Sequence, residues 1–288
     1  MAVFPRKRYH VNLRSGALEL GQRTLVMGIV NVTPDSFSDA GECHDPWAAS
    51  QRALEMVAAG ADLLDIGGES TRPDSEPVPA DLELERVIPV ITAIREKSDI
   101  PISIDTTKAE VARQALAAGA DLVNDVSALR FDPLMAEVVA SVGAPLILMH
   151  MRGTPRTMQQ NPFYVSLFSE IIAFLEERMG FAAAHGIDRQ QLLVDPGIGF
   201  GKNLDHNLSL IRSLEIFHCL DRPLLLGASR KRFIGAVLDR PVKEREVGTA
   251  VVHSFAIAAG VHIIRTHDVT FHRQVALMSD AVRESVKG

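Results

Sequence analysis

The chain carries only two cysteines, Cys43 and Cys219, in 288 residues, which leaves room for one disulfide at most. A chain of this length can build its core without one, so a reducing cytoplasm is the expected setting. Positive charge is not in excess either. Thirty Lys and Arg stand against 36 Asp and Glu, a net charge of −6, and no global basic field suggests a nucleic-acid partner. No apolar run approaches the roughly 20 residues needed to cross a bilayer, so no membrane span is expected. Residues 1–10 are basic, but the apolar segment of a signal peptide does not follow them. The ten histidines are scattered, without the His-x-x-x-His spacing of a helical zinc site. No Gly-x-Gly-x-x-Gly turn follows the first apolar run, against an open dinucleotide-binding sheet. The run Gly227-Ala228-Ser229-Arg230-Lys231 is not a Gly-x-Ser-x-Gly elbow, which weakens a serine-hydrolase reading. The glycine loop after Pro196 fails the Walker spacing.

What is present is apolar and repetitive. Hydrophobic residues make up 47% of the chain, ample for a large core. The short buried runs each lead to a side chain able to do chemistry. Residues 25–30 end at Asn31, 62–64 at Asp65, 102–104 at Asp105, and 122–123 at Asn124 and Asp125. Residues 146–149 end at His150 and 192–194 at Asp195; 224–226 lead to Ser229, Arg230 and Lys231, and 263–264 to Arg265 and His267. Helical segments between them stop at Gly60, Gly119, Gly143, Gly186 and Gly260. Gly60-Ala61-Asp62-Leu63-Leu64-Asp65 is echoed by Gly119-Ala120-Asp121-Leu122-Val123-Asn124, as one βα unit reused would be. The expected fold is α/β: a (β/α)₈ barrel forming a single domain over 1–288, with an N-terminal extension over about 1–22 and an active site at the C-terminal ends of the strands.

Asp65, Asp105 and Asp195 would each, alone, be read as a helix cap or a core ion pair. Three in one barrel mouth with Asn31 and Asn124 point to a polar site, and such oxygens could also ligate Mg²⁺. The loop Gly197-Ile198-Gly199-Phe200-Gly201-Lys202 follows Asp195 directly, and its glycines let a flat ligand approach the backbone. Ser229 reads as the N-cap of the next helix, where free N–H groups beside two cations make an anion site. Arg265 and His267 suit a phosphate or pyrophosphate. Thr107 and Glu110 have capping-box spacing. His262 is expected beside the core, His218 and His272 at the surface, and His150 in either setting. The stretches 36–43 and 74–79 have the polar, glycine- or proline-bearing character of lids.

At this point a resemblance is plain. Asn31-Val32-Thr33-Pro34-Asp35-Ser36-Phe37-Ser38-Asp39 and Asp65-Ile66-Gly67-Gly68-Glu69-Ser70-Thr71-Arg72-Pro73 are similar to the two signature loops of the dihydropteroate synthases, a pterin-binding barrel family. Ser103-Ile104-Asp105-Thr106, Asn124-Asp125, Met149-His150-Met151, the loop from Asp195 to Lys202, Ser229-Arg230-Lys231 and Arg265-Thr266-His267-Asp268 resemble its remaining motifs in order. Ala40 stands where the family usually has glycine, and Asp74 where a small residue is common.

The resemblance implies condensation of 6-hydroxymethyl-7,8-dihydropterin pyrophosphate with p-aminobenzoate, in the cytoplasm, by a homodimer. It implies a pterin site of Asp105, Asn124, Met149, Asp195, Phe200 and Lys231. Pyrophosphate would meet Asn31, Arg72, Arg265 and His267, with Mg²⁺ held at Asn31. Phe37, Thr71, Pro73 and Ser229 would frame p-aminobenzoate. The catalytic group would be Asp105, Lys231, Asn31, Arg265 and His267. Two rivals share the barrel: a pterin-dependent methyltransferase and a non-catalytic pterin-binding module. The Ser-Thr-Arg-Pro loop and the Ser-Arg-Lys run favour the synthase over the first. The presence of Asn31, Arg72, Lys231, Arg265 and His267 favours it over the second.

Overall fold

A computed structural model describes residues 3–14, 16–33, 46–70 and 75–285. Eight parallel strands alternate with helices: β3 (Leu25–Asn31), β4 (Leu63–Gly67), β5 (Ile102–Asp105), β6 (Leu122–Asp125), β7 (Leu146–Met149), β8 (Leu192–Asp195), β9 (Leu225–Gly227) and β10 (Ile263–Thr266). They form one sheet in the order β8-β7-β6-β5-β4-β3-β10-β9. A parallel bridge between Val194 and Leu224 joins the two edge strands and closes the barrel. The helices between them are α1 (Pro46–Ala58), α2 (Ala80–Arg95), α3 (Ala109–Ala118), α4 (Met135–Val142), α5 (Leu167–Ala184), α6 (Leu204–Arg212), α7 (Arg232–Leu238) and α8 (Glu246–Ala258), with α9 (Val269–Glu284) after the last strand.

Side chains alternate along each strand, so every strand divides its residues between the barrel interior and the helical shell. The odd-numbered Leu25, Met27, Leu63, Ile147, Leu193, Leu225 and Ile263 meet inside the barrel with Leu122 of β6. Their neighbours Val26, Leu64, Ile102, Val123, Leu146, Leu192, Leu226 and Ile264 belong to the layer between sheet and helices. Two residues beyond five of these interior apolar residues stands a member of the candidate site. Leu63 is followed by Asp65, Leu122 by Asn124, Ile147 by Met149, Leu193 by Asp195, and Ile263 by Arg265. A step of two keeps a side chain on the same face, so an apolar layer lies directly beneath the polar one.

The segment expected as an N-terminal extension is an antiparallel hairpin of β1 (Tyr9–Leu13) and β2 (Gly16–Leu20). Val11, Leu18 and Leu20 cap the bottom of the barrel and join its interior cluster. Helices α3 and α4 end on Gly119 and Gly143, both left-handed, as their sequences indicated. The capping box expected at Thr107 and Glu110 does not form. Helix α3 starts one residue later, with Lys108 as an N-cap that makes no side-chain cap bond, and Asp132 Oδ2 from the next βα unit accepts the Ala109 N–H at 2.8 Å.

If the hairpin is part of the barrel core, Leu20→Ala, which empties a site 1% exposed, lowers unfolding free energy by about 2–5 kcal/mol. Urea denaturation measures this; a loss below about 1 kcal/mol would show that the hairpin merely rests on the barrel.

Candidate active site

The polar layer is held together by one guanidinium. Arg265, from β10, donates from Nε to Asp65 Oδ2 at 2.5 Å and from Nη2 to Asp105 Oδ2 at 2.7 Å. Asn124 Nδ2 donates to the same Asp65 oxygen at 3.1 Å. Strands β4, β5, β6 and β10 thus meet through side chains across the mouth. Gly227 is paired with Arg265 in the sheet, and a Cβ there would make ordinary van der Waals contact with Arg265 Cδ at 3.7 Å. Asp65 Oδ1, Asp105 Oδ1 and Ser103 Oγ are buried without a hydrogen-bond partner. Buried acceptors of this kind are rare in folded proteins, and several at one mouth mark a place for a donor-bearing ligand.

The opposite wall comes from β8 and the glycine loop. Asp195, 5% exposed, accepts the Gly197 N–H at 2.7 Å. Gly197 has φ +70°, and a Cβ there would fall 1.9 Å from the His150 carbonyl oxygen. The loop therefore requires glycine at this position for both torsion and space. The Lys231 ammonium donates to the Ile198 carbonyl and stands 4.5 Å from the centre of the Phe200 ring. Val126, Met149, Met151 and Met158 form an apolar cluster against Phe200. Met149 and Phe200 were expected as faces for a flat ring. Val126, Met151 and Met158 enlarge that wall, and no spacing in the sequence pointed to them.

Burial sets the charges. Desolvation, and then the neighbouring Asp65, push the Asp105 carboxyl up, against the pull of Arg265. Desolvation also raises Asp195, opposed by Lys231. Lys231 is drawn down to about 8 by burial, although Asp195 favours its charge. Lys202, 2% exposed, is lowered further, again by burial. Its ammonium donates to His150 Nδ1 at 2.9 Å and to the Phe200 carbonyl at 3.1 Å. The contact is consistent with a neutral His150, whose pKa burial and then Lys202 push far below the usual range. Lys202 closes the glycine loop in sequence, and that position was the only available hint of its role.

Ser229 is not the N-cap that the sequence suggested. Helix α7 begins at Arg232 with Lys231 in the cap position. The Ser229 hydroxyl instead meets His267 Nδ1 at 2.9 Å, linking β9 to β10. The N-cap role therefore passes to Lys231, and the Ser229 hydroxyl is engaged with His267. Asn31 is half-buried at the end of β3. Phe37, Thr71, Arg72 and Pro73, with the whole of the expected lid 36–43 and Asp74 of the other, lie outside the described residues. His262 is buried in the wall, accepting the Leu224 N–H at 3.0 Å. His218 and His272 are not surface residues: His218 is half-buried against the Ala259 carbonyl, and His272 is fully buried.

The chain matches the family model described as pterin binding enzyme over residues 27–267. It is 50% identical over 263 residues to the dihydropteroate synthase of Synechocystis, covering 91% of each chain. It is 44% identical over 272 residues to that of Bacillus subtilis, covering 94% of this chain and 93% of the relative. Among solved structures it is similar to the Yersinia pestis dihydropteroate synthase in a sulfonamide drug complex, with a TM-score of 0.91, 42% identity, and coverage of 96% and 99% of the two chains. It is similar also to the Xanthomonas albilineans enzyme in complex with 7,8-dihydropteroate, with a TM-score of 0.83, 42% identity, and coverage of 91% and 94%.

The lowered pKa of Lys231 has a stability consequence with a definite sign. Its folded value, about 8, lies below the ordinary lysine value of 10.5, so the charged lysine weakens the ligand-free fold below pH 8. That penalty is relieved as pH rises from 8 to 10.5. Lys231→Met is expected to be more stable than the parent at pH 7, by about 1–2 kcal/mol after loss of the bond to Ile198. The gain should vanish above pH 10. Melting curves across this range test it, and a difference independent of pH would show that Lys231 carries no such penalty.

Proposed function

The chain belongs to the family of pterin-binding enzymes, and on that premise we propose how it works as a dihydropteroate synthase. It condenses 6-hydroxymethyl-7,8-dihydropterin pyrophosphate with p-aminobenzoate, giving 7,8-dihydropteroate and releasing pyrophosphate. The observation that carries our reading of the site is the set of buried carboxylate oxygens without donors at the barrel mouth. A pterin displays an amide N–H and an exocyclic amine on one edge, which carboxylates can receive. We assign that edge to Asp195, whose Oδ1 also accepts the Gly197 N–H, and the donor-free oxygen of Asp105, with Asn124 and Lys231, completes the ring's donor and acceptor pattern. Phe200 and Met149 cover the faces of the ring.

Pyrophosphate we assign to Asn31, Arg265 and His267, with Arg72 from outside the described residues. Arg265 uses two of its five N–H donors on Asp65 and Asp105, leaving three for an anion. Asn31 offers one neutral oxygen, and among the described residues no group of three or more His, Cys, Asp or Glu could hold a metal. Such a single neutral oxygen would suit a Mg²⁺ brought in with the pyrophosphate, with Asn31 as the residue that would hold it. When bound, the ion would neutralise charge on the departing group. Ser229 would frame p-aminobenzoate together with Phe37, Thr71 and Pro73.

The reaction needs no strong base, because an arylamine is already neutral at pH 7. What needs stabilising is the separation of charge as the carbon–oxygen bond breaks. We favour a dissociative path in which the pterin ring spreads the positive charge and the surrounding aspartates stabilise it. The exposed free thiol of Cys219 suits the cytoplasm, where we place the enzyme. No helix among the described residues is long and apolar enough to cross a membrane.

With the two purified substrates and Mg²⁺, dihydropteroate and pyrophosphate should form in equal amounts. Chelation should stop turnover without changing the melting temperature of the ligand-free protein. A sulfonamide should inhibit, and raising p-aminobenzoate should relieve the inhibition. Absence of product would overturn the activity; inhibition indifferent to p-aminobenzoate would overturn the shared pocket.

We propose a homodimer as well. Val247, Val251 and Phe255 recur every fourth residue on α8 and are exposed, as are Leu277, Met278 and Val282 on the adjacent α9. An apolar stripe across two packed helices fits a second copy of the chain. Val251→Glu should convert a dimer to a monomer in sedimentation velocity. A parent that sediments as a monomer, or a variant that stays dimeric, would contradict the assignment.

A further inference from the structure

Behind the active site, α8 and α9 enclose polar groups that the reaction does not use. His253 and His272 are fully buried and face each other, Nδ1 to Nδ1 at 3.0 Å. His272 Nε2 meets Glu246 Oε2 at 2.9 Å. The other carboxylate oxygen of Glu246 accepts from Arg230 Nε. With His272 donating from Nε2 and His253 from Nδ1, the single atom left over is His253 Nε2, which is buried without a partner. In that arrangement it is a bare lone pair, a smaller penalty than a buried N–H without an acceptor.

The chain of bonds ends on an unusual residue. Arg230 has φ +56°, left-handed for a side chain that rarely adopts it. It occupies the third position of a turn closed by the Lys231 N–H on the Ala228 carbonyl, a place that at positive φ favours glycine. The backbone and the side chain of Arg230 are both held from the start of α8. Its N–H donates to Thr249 Oγ1 at 3.1 Å, and its carbonyl accepts from Arg245 Nη1 at 3.2 Å. Its side chain is held by Glu246. On either side of it stand Ser229, bonded to His267, and Lys231, bonded to Ile198.

We propose that Glu246 is a positioning residue: it locks Arg230 in its left-handed turn and so aims Ser229 and Lys231 into the substrate site. Strained backbone persists only where its surroundings over-determine it, and here they do so at the motif that faces the substrates. Without the carboxylate, Arg230 relaxes toward negative φ, and the two flanking side chains turn with it. The inference rests on the synthase reading. It is tested by ratios among variants, which are interpretable only once the parent makes dihydropteroate, so failure of that reading would already be evident in the parent.

The test is a double-mutant cycle on kcat/KM for the dihydropterin substrate. Glu246→Ala, and Glu246→Gln as the variant that keeps the volume, are expected to lose at least tenfold. Arg230→Gly removes the side chain and holds positive φ without a clamp, so it should stay within threefold of the parent. In the Arg230→Gly background, Glu246→Ala and Glu246→Gln should cost nothing further. If Glu246 merely stabilised the α8–α9 seam through His272, the loss would persist in the double variants. That result, or a Glu246→Gln enzyme within twofold of the parent, overturns the proposal. Should Glu246→Ala not fold, the Gln pair decides alone.

Discussion

Arg265 lies across the barrel mouth between two carboxylates, and the rest of the site is arranged around that charge. It binds strands that are distant in sequence: β10 to β4 and β5, with β6 joined through Asn124. Breaking such a buried pair from one side leaves a charge uncompensated, at about 3–5 kcal/mol. The same cation keeps Asp105 tolerable beside Asp65, since desolvation and the neighbouring Asp65 both oppose ionisation of Asp105. The pair of acids and the arginine therefore form one unit. Its unused oxygens leave acceptors without donors at the barrel mouth.

The polar layer is electrostatically poised because an apolar layer supports it. Leu63, Leu122, Ile147, Leu193 and Ile263 lie one step below Asp65, Asn124, Met149, Asp195 and Arg265, and the N-terminal hairpin closes that layer from beneath. Water is excluded from below, so burial raises the acids and lowers Lys231 and Lys202. Stability resides in the plug, and the layer above it is free to be suboptimal for the fold and suited to a ligand.

Much of this was legible in the sequence, and the reason is the period of a strand. Alternation places apolar residues inside and outside the barrel, and the next inward residue at the strand end has to face the mouth. Asn31, Asp105, Asn124, Met149, Asp195, Lys231 and Arg265 could be located from that rule and from the order of their motifs. The glycines that end helices α3 and α4 were equally plain, because a left-handed residue is a local requirement.

What the sequence by itself determined was the (β/α)₈ architecture, the layer of strand-end groups and the chemistry they suit. The tertiary structure decided which of those groups touch. That α3 is capped by Asp132 rather than Thr107, that Ser229 pairs with His267 rather than capping α7, and that Lys202 meets His150 all depend on neighbouring βα units. So do the burial of His272 and the hold of Glu246 on Arg230. These contacts join residues 16 to 52 positions apart. No local period encodes them: they depend on barrel closure, which sets adjacent strand ends side by side and packs α8 and α9 behind them.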